Sequence, residues 1–85
     1  MYRIEVRPKA GKQLARLDPR YRKAIRFSID SLTKNPYAGK KLDPPLSHLY
    51  SLRVGVYRIL YYILKRKLII LVISVAHIKE AYRRK

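Results

Sequence analysis

The chain has 85 residues, 21 of them Lys or Arg and 5 of them Asp or Glu, giving a formal net charge of +16 with both histidines neutral. So short a chain builds one domain around one modest core, with no room for a separate cofactor domain, and 48% hydrophobic residues exclude a disordered basic tail. The lack of cysteine excludes a disulfide frame, a thiolate zinc site and a thiol nucleophile, as expected of an intracellular protein, and a positive surplus of this size points to a polyanion or an acidic protein as partner.

Residues 2–7 alternate, with Tyr2, Ile4 and Val6 on one face and Arg3, Glu5 and Arg7 on the other, the period of a half-buried strand that Pro8 ends. From Lys9 the period changes: Ala10, Leu14 and Leu17 stand at helical spacing and predict a short amphipathic helix. Asp18-Pro19 supplies an N-cap and a first-turn proline for a second helix. Its apolar stripe is Tyr21, Ile25, Ser28 or Ile29, and Leu32, and Asn35-Pro36 stops it. Residues 37–47, with Gly39 and Pro44-Pro45, read as an irregular crossover loop.

Beyond the loop the chain reads as sheet. Gly55-Val56 is the sequence of a two-residue type II′ hairpin turn. That turn sets Val54 opposite Tyr57, Arg53 opposite Arg58, Leu52 opposite Ile59, Ser51 opposite Leu60 and Tyr50 opposite Tyr61. One face then shows Tyr50, Leu52, Val54, Tyr57, Ile59, Tyr61 and Ile63, ready to receive the helices, and the other shows Ser51, Arg53 and Arg58. Lys65-Arg66-Lys67 forms a charged turn, and Leu68 to Ala76 forms a third, buried strand. That strand is expected to bring Ile73 or Ser74 beside Arg58 and to carry His77 to the end of the sheet that holds Arg53. The fold class is therefore α+β: a small single domain over residues 1–85, with an N-terminal strand, a two-helix hairpin and an antiparallel three-strand meander, closing in a short C-terminal helix or tail. The longest apolar run, Leu68 to Ala76, has nine residues, against about 20 for a membrane-spanning helix, and residues 1–20 are too charged for a signal peptide. A cytoplasmic protein with no membrane contact is expected.

Like charges opposite each other on neighbouring strands cost a few tenths to about 1 kcal/mol, so the Arg53–Arg58 pair stands out. In a protein this basic both can be ordinary solvated arginines. Side by side on an open sheet face, they can instead hold a phosphate and stabilise the charge that builds up when a phosphodiester is attacked. Metal-free RNA cleavage also needs a base for the 2′-OH proton and an acid for the 5′ oxygen, roles open to His77, with Lys79 and Tyr82 close behind it. Most of the eight tyrosines belong to the core, leaving Tyr37, Tyr62 and Tyr82 as those able to meet RNA. Lys40-Lys41, Lys65-Arg66-Lys67 and Arg83-Arg84-Lys85 read as solvated ends or as phosphate-positioning contacts without sequence preference. The acids show no metal-ligand spacing, and no phosphate-binding loop or dinucleotide fingerprint occurs, so neither metal nor cofactor is expected.

The order of elements, together with Asn35-Pro36-Tyr37-Ala38-Gly39-Lys40-Lys41-Leu42, the stretch Leu49 to Tyr61, and Val75-Ala76-His77, resembles the RelE/ParE toxin superfamily over nearly the whole chain. The resemblance implies a toxin of a type II toxin-antitoxin pair, bound in a hetero-oligomer by an acidic, RelB-like cognate antitoxin. RelE-like members cleave mRNA in the ribosomal A site without metal and so inhibit translation; ParE-like members inhibit DNA gyrase. Carried over by position, the resemblance implies catalytic roles for Arg53, Arg58, His77 and Tyr82, and RNA contacts for Lys40, Lys41, Lys79 and Arg83. Two positions depart from the nuclease pattern. Ser51 stands where a Lys or Arg is usual, and Ile78 where an Arg commonly follows the histidine. The expected activity is that of a ribosome-dependent mRNA endoribonuclease; the alternatives are a gyrase inhibitor and a member that only binds nucleic acid and its antitoxin.

Overall fold

The structure, a computed structural model, describes residues 1–46 and 48–79. In chain order the elements are β1 (Arg3–Val6), α1 (Pro8–Ala15), α2 (Pro19–Ser31), a 3-10 turn (Pro36–Ala38), β2 (Lys40–Lys41), β3 (Tyr50–Val54), β4 (Tyr57–Leu64) and β5 (Ile69–His77). Among the described residues, five strands join one sheet in the order β1-β5-β4-β3-β2, with β1 and β5 parallel and the other neighbouring pairs antiparallel.

The residues that punctuate the sequence do so physically. Pro8 ends β1 and also opens α1, since a first-turn proline has no amide hydrogen to leave unbonded. Asp18 caps α2 by accepting the Arg20 N–H at 2.9 Å. The helix ends at Ser31, ahead of the expected Asn35-Pro36 stop. There the Ser31 and Thr33 hydroxyls donate back to the Ser28 and Asp30 carbonyls at 2.7 and 2.9 Å, competing with continued helix.

Both helices pack on one sheet face. Ala10 and Leu14 from α1, and Ile25, Ile29 and Leu32 at the end of α2, meet Ile59, Tyr61, Ile70, Val72 and Val75 in one buried cluster. Each large aliphatic there contributes about 1.5–3 kcal/mol through burial. Tyr21, expected on the helix stripe, stays 44% exposed and leans on the Tyr57 ring at 5.5 Å.

Two expectations need correction. Residues 37–47 are not wholly irregular, because Lys40 and Lys41 pair with Ser51 and Tyr50 and add a fourth strand to the expected three-strand meander. The buried Tyr61 hydroxyl holds this strand in place, donating to the Pro36 carbonyl at 2.8 Å and accepting the Gly39 N–H at 2.9 Å. The partner of Arg58 on β5 is Ala76, not Ile73 or Ser74. The turn holds four residues, Lys65 to Leu68, with Leu68 at a φ of 56°, and this advances the register by one. A bulge opposite Leu60/Tyr61, whose partners are Ser74 and Val72, advances it by one more.

Candidate functional site

The β3–β4 hairpin pairs as its turn residues dictate: Val54 with Tyr57, Arg53 with Arg58, Leu52 with Ile59, Ser51 with Leu60 and Tyr50 with Tyr61. Gly55 takes the positive φ, 61°, that the first position of a type II′ turn requires. Cross-strand partners share a face and neighbours along a strand alternate. Because Ile59 and Tyr61 meet the helices, Ser51, Arg53, Arg58, Leu60 and Tyr62 lie on the opposite, open face, with Ala76 beside Arg58.

The two arginines are neighbours in register, but their guanidiniums part. Arg53 Nε donates to the Gly55 carbonyl at 3.1 Å, towards the turn. An Arg58 terminal nitrogen donates to Ser51 Oγ at 2.7 Å, away from it. Mutual repulsion and two separate acceptors account for the separation. Ser51, at the position where the family pattern carries a cation, is 3% exposed and serves as the anchor of Arg58. Arg58 lines a cleft of about 290 Å³ with Lys40, Lys41, Leu42 and Asp43. Within it Lys40 shares a face with its partner Ser51. This is a partly enclosed, cationic recess of a size to take a phosphate group.

His77 reaches the expected end of the sheet but not the arginine face. Its partner is Tyr57, whose own partner is Val54, and this row lies on the helix side. The His77 and Tyr57 rings meet edge to face at 5.6 Å. Both line a second recess, of about 380 Å³, with Gln13, Arg16 and Leu17. The exposed Lys79 donates its backbone N–H to His77 Nδ1 at 3.2 Å, so in the neutral ring the hydrogen is assigned to Nε2. Tyr82 and Arg83 lie outside the described residues. The structure thus brings Arg58, Lys40 and Lys41 together, keeps Arg53 next to them, and sets His77 and Lys79 around the edge of the sheet.

Three contributions escaped the sequence reading. Ser51 was placed on the face of the arginines, but its bond to Arg58 was not foreseen, although the hairpin register puts the two diagonal to each other. His48, whose ring stacks on Tyr62 at 5.2 Å and 28°, left no signal, because an irregular loop carries it there. Gln13 Oε1 accepts the Val75 N–H at 2.8 Å on the side of β5 that β1, ending at Val6 opposite Val72, no longer covers. At Tyr61 burial pushes the hydroxyl pKa up, opposed by the Gly39 N–H and aided by nearby Tyr50.

The model of the ParE toxin of type II toxin-antitoxin systems (parDE) matches residues 4–82. Toxin RelG of Mycobacterium tuberculosis (strain ATCC 25618 / H37Rv) is 32% identical over 85 residues, covering 98% of each chain. Among solved structures, the toxin-antitoxin complex RelBE2 from M. tuberculosis matches with a TM-score of 0.84 and 29% identity, over 89% of this chain and 96% of that one. The isolated E. coli RelE toxin shares the fold, with a TM-score of 0.78 at 21% identity over 100% of this chain and 88% of that one. By this sequence match along almost its full length, and by the sheet and hairpin described above, the chain belongs to the RelE/ParE superfamily of toxins of type II toxin-antitoxin systems.

Proposed function

We propose that this toxin is a ribosome-dependent mRNA endoribonuclease, acting in the cytoplasm and held inactive by an acidic, RelB-like antitoxin. The observation that carries the reading is Arg58, fixed by Ser51 in a cationic cleft on an otherwise open sheet face. In such a reaction the 2′-OH oxygen attacks the adjacent phosphorus and the 5′ oxygen leaves, producing a 2′,3′-cyclic phosphate and a 5′-OH end. A general base takes the proton of the 2′-OH and a general acid supplies one to the 5′ oxygen, so the two transfers balance and no water is consumed. Arg58 and Lys40 would hold the phosphate and balance the charge of the transition state. Arg53, one position towards the turn, and Lys41 would position the flanking backbone. His77, on the helix side of the sheet end, would serve as base or acid by reaching round that end to the RNA, and Tyr82 would stack on a base or donate a proton. Tyr82, Lys79 and Arg83 would meet the RNA from the C-terminal side. The charge of +16 supplies the general attraction to ribosomal RNA and to an acidic antitoxin.

A second reading is a ParE-like inhibitor of DNA gyrase. The matching family model is that of a ParE toxin, and His77 faces away from the arginines. Both are tested by adding the protein to a translating extract and mapping mRNA 3′ ends, with a supercoiling assay run in parallel. Codon-spaced cuts that vanish with Arg58→Ala support the nuclease; intact mRNA with blocked supercoiling replaces it by the gyrase reading.

A further inference from the structure

Resting on the RNA-binding reading above, we propose that Tyr62 and His48 form a base-stacking subsite for single-stranded RNA, on the same sheet face as Arg58. Tyr62 is four residues beyond Arg58 on β4, so the two side chains leave one face roughly 13 Å apart at about 3.3 Å per residue. The Tyr62 ring takes no part in the core cluster. Leu60, two residues back along β4, and Leu71, the cross-strand partner of Tyr62, flank it, and the His48 imidazole lies over it at 5.2 Å and 28°. His48 is exposed, so its outer face is open to a third ring. A nucleobase placed there extends the stack while its backbone continues towards Arg58 and Lys40. Two features favour a base over an apolar protein side chain: the site is a planar ring-on-ring surface, and the cationic cleft around Arg58 can hold the phosphate of the same strand. The loop that carries His48 is closed at its base by the Leu42 N–H donating to the Leu49 carbonyl at 3.0 Å, so the imidazole is presented from a tied segment.

The test uses the full chain and two labelled single-stranded RNAs of equal length, one ordinary and one abasic over the central nucleotides. His48→Ala and Tyr62→Ala should each weaken binding of the ordinary RNA by roughly 5- to 150-fold, the range for losing one stacked base. Tyr62→Phe should bind as the wild type, and the abasic RNA should bind all four proteins alike. Arg58→Ala, by contrast, should weaken both RNAs and flatten the salt dependence. Unchanged binding by both alanine variants overturns the subsite while leaving the RNA-binding reading intact, provided Arg58→Ala still weakens binding. Equal losses on both RNAs, or a loss of antitoxin binding alone, also overturn it. If the wild type binds neither RNA, both the reading and the subsite fall. His48 is exposed, so its variant keeps the test valid even if Tyr62→Ala fails to fold.

Discussion

Replacing Tyr61 by Phe removes one oxygen from the core and separates the role of the hydroxyl from that of the ring. The ring is fully buried and stays in place, stacked near Tyr50 at 5.6 Å. What is lost is the pair of bonds to the Pro36 carbonyl and the Gly39 N–H, 2.8 and 2.9 Å long. A buried polar group left without a partner costs about 1–3 kcal/mol. Pro36 and Gly39 are only half-buried, so water restores part of this, and a loss of about 2 kcal/mol is expected. For a domain of this size that lowers Tm by about 8–16 °C, and in urea the midpoint falls without a change in m. The pH dependence adds a second readout. Burial holds the Tyr61 pKa above its ordinary value of 10.0, so the folded state keeps the proton longer than the unfolded chain. That stabilisation is complete below pH 10 and is lost as pH rises through the folded pKa. Wild-type stability should therefore fall above pH 10 more steeply than that of Tyr61→Phe. Gly39→Ala provides the coupling check, since its Cβ would meet Tyr61 Oη at 2.6 Å and the Ser51 carbonyl oxygen at 2.9 Å. The double variant should lose less than the sum of the singles. Additive losses, or a Tm shift below about 2 °C where 1 kcal/mol is worth 4–8 °C, would refute the role of the Tyr61 hydroxyl in holding Pro36 and Gly39.

Two further outcomes follow from the hairpin and the free side of β5. Gly55→Ala forces a non-glycine residue to a φ of 61° with nothing within 4 Å to clash, so it should cost about 1–2 kcal/mol of stability by backbone strain alone, read by urea unfolding. Gln13→Ala leaves the Val75 N–H without its side-chain partner and should cost about 1–2 kcal/mol; the Val75 amide should then exchange with solvent faster, while amides of the β3–β4 ladder should not.

The charge, the class of fold and the β3–β4 register are properties of the sequence, because each rests on local rules. Hydrophobic period separates strand from helix, Asp18-Pro19 favours a helix start through a side-chain cap and a preset φ, and Gly55-Val56 admits one tight turn whose pairing is then arithmetic. The arginine pair was legible for that reason. The resemblance to a known family was equally legible, since the motif around Arg53 and Arg58 is contiguous in the chain. The tertiary structure decided what depends on distant pieces meeting. A four-residue turn and one bulge together moved β5 by two positions and brought Ala76 beside Arg58. Tyr61, a core residue by its pattern, fixes Pro36 and Gly39 through its hydroxyl just ahead of the two-residue edge strand Lys40–Lys41. His77 arrived at the expected end of the sheet on the side opposite the arginines, because a single step along a strand reverses the face. Local chemistry therefore named the side chains, while the packing of distant segments determined which of them share a surface.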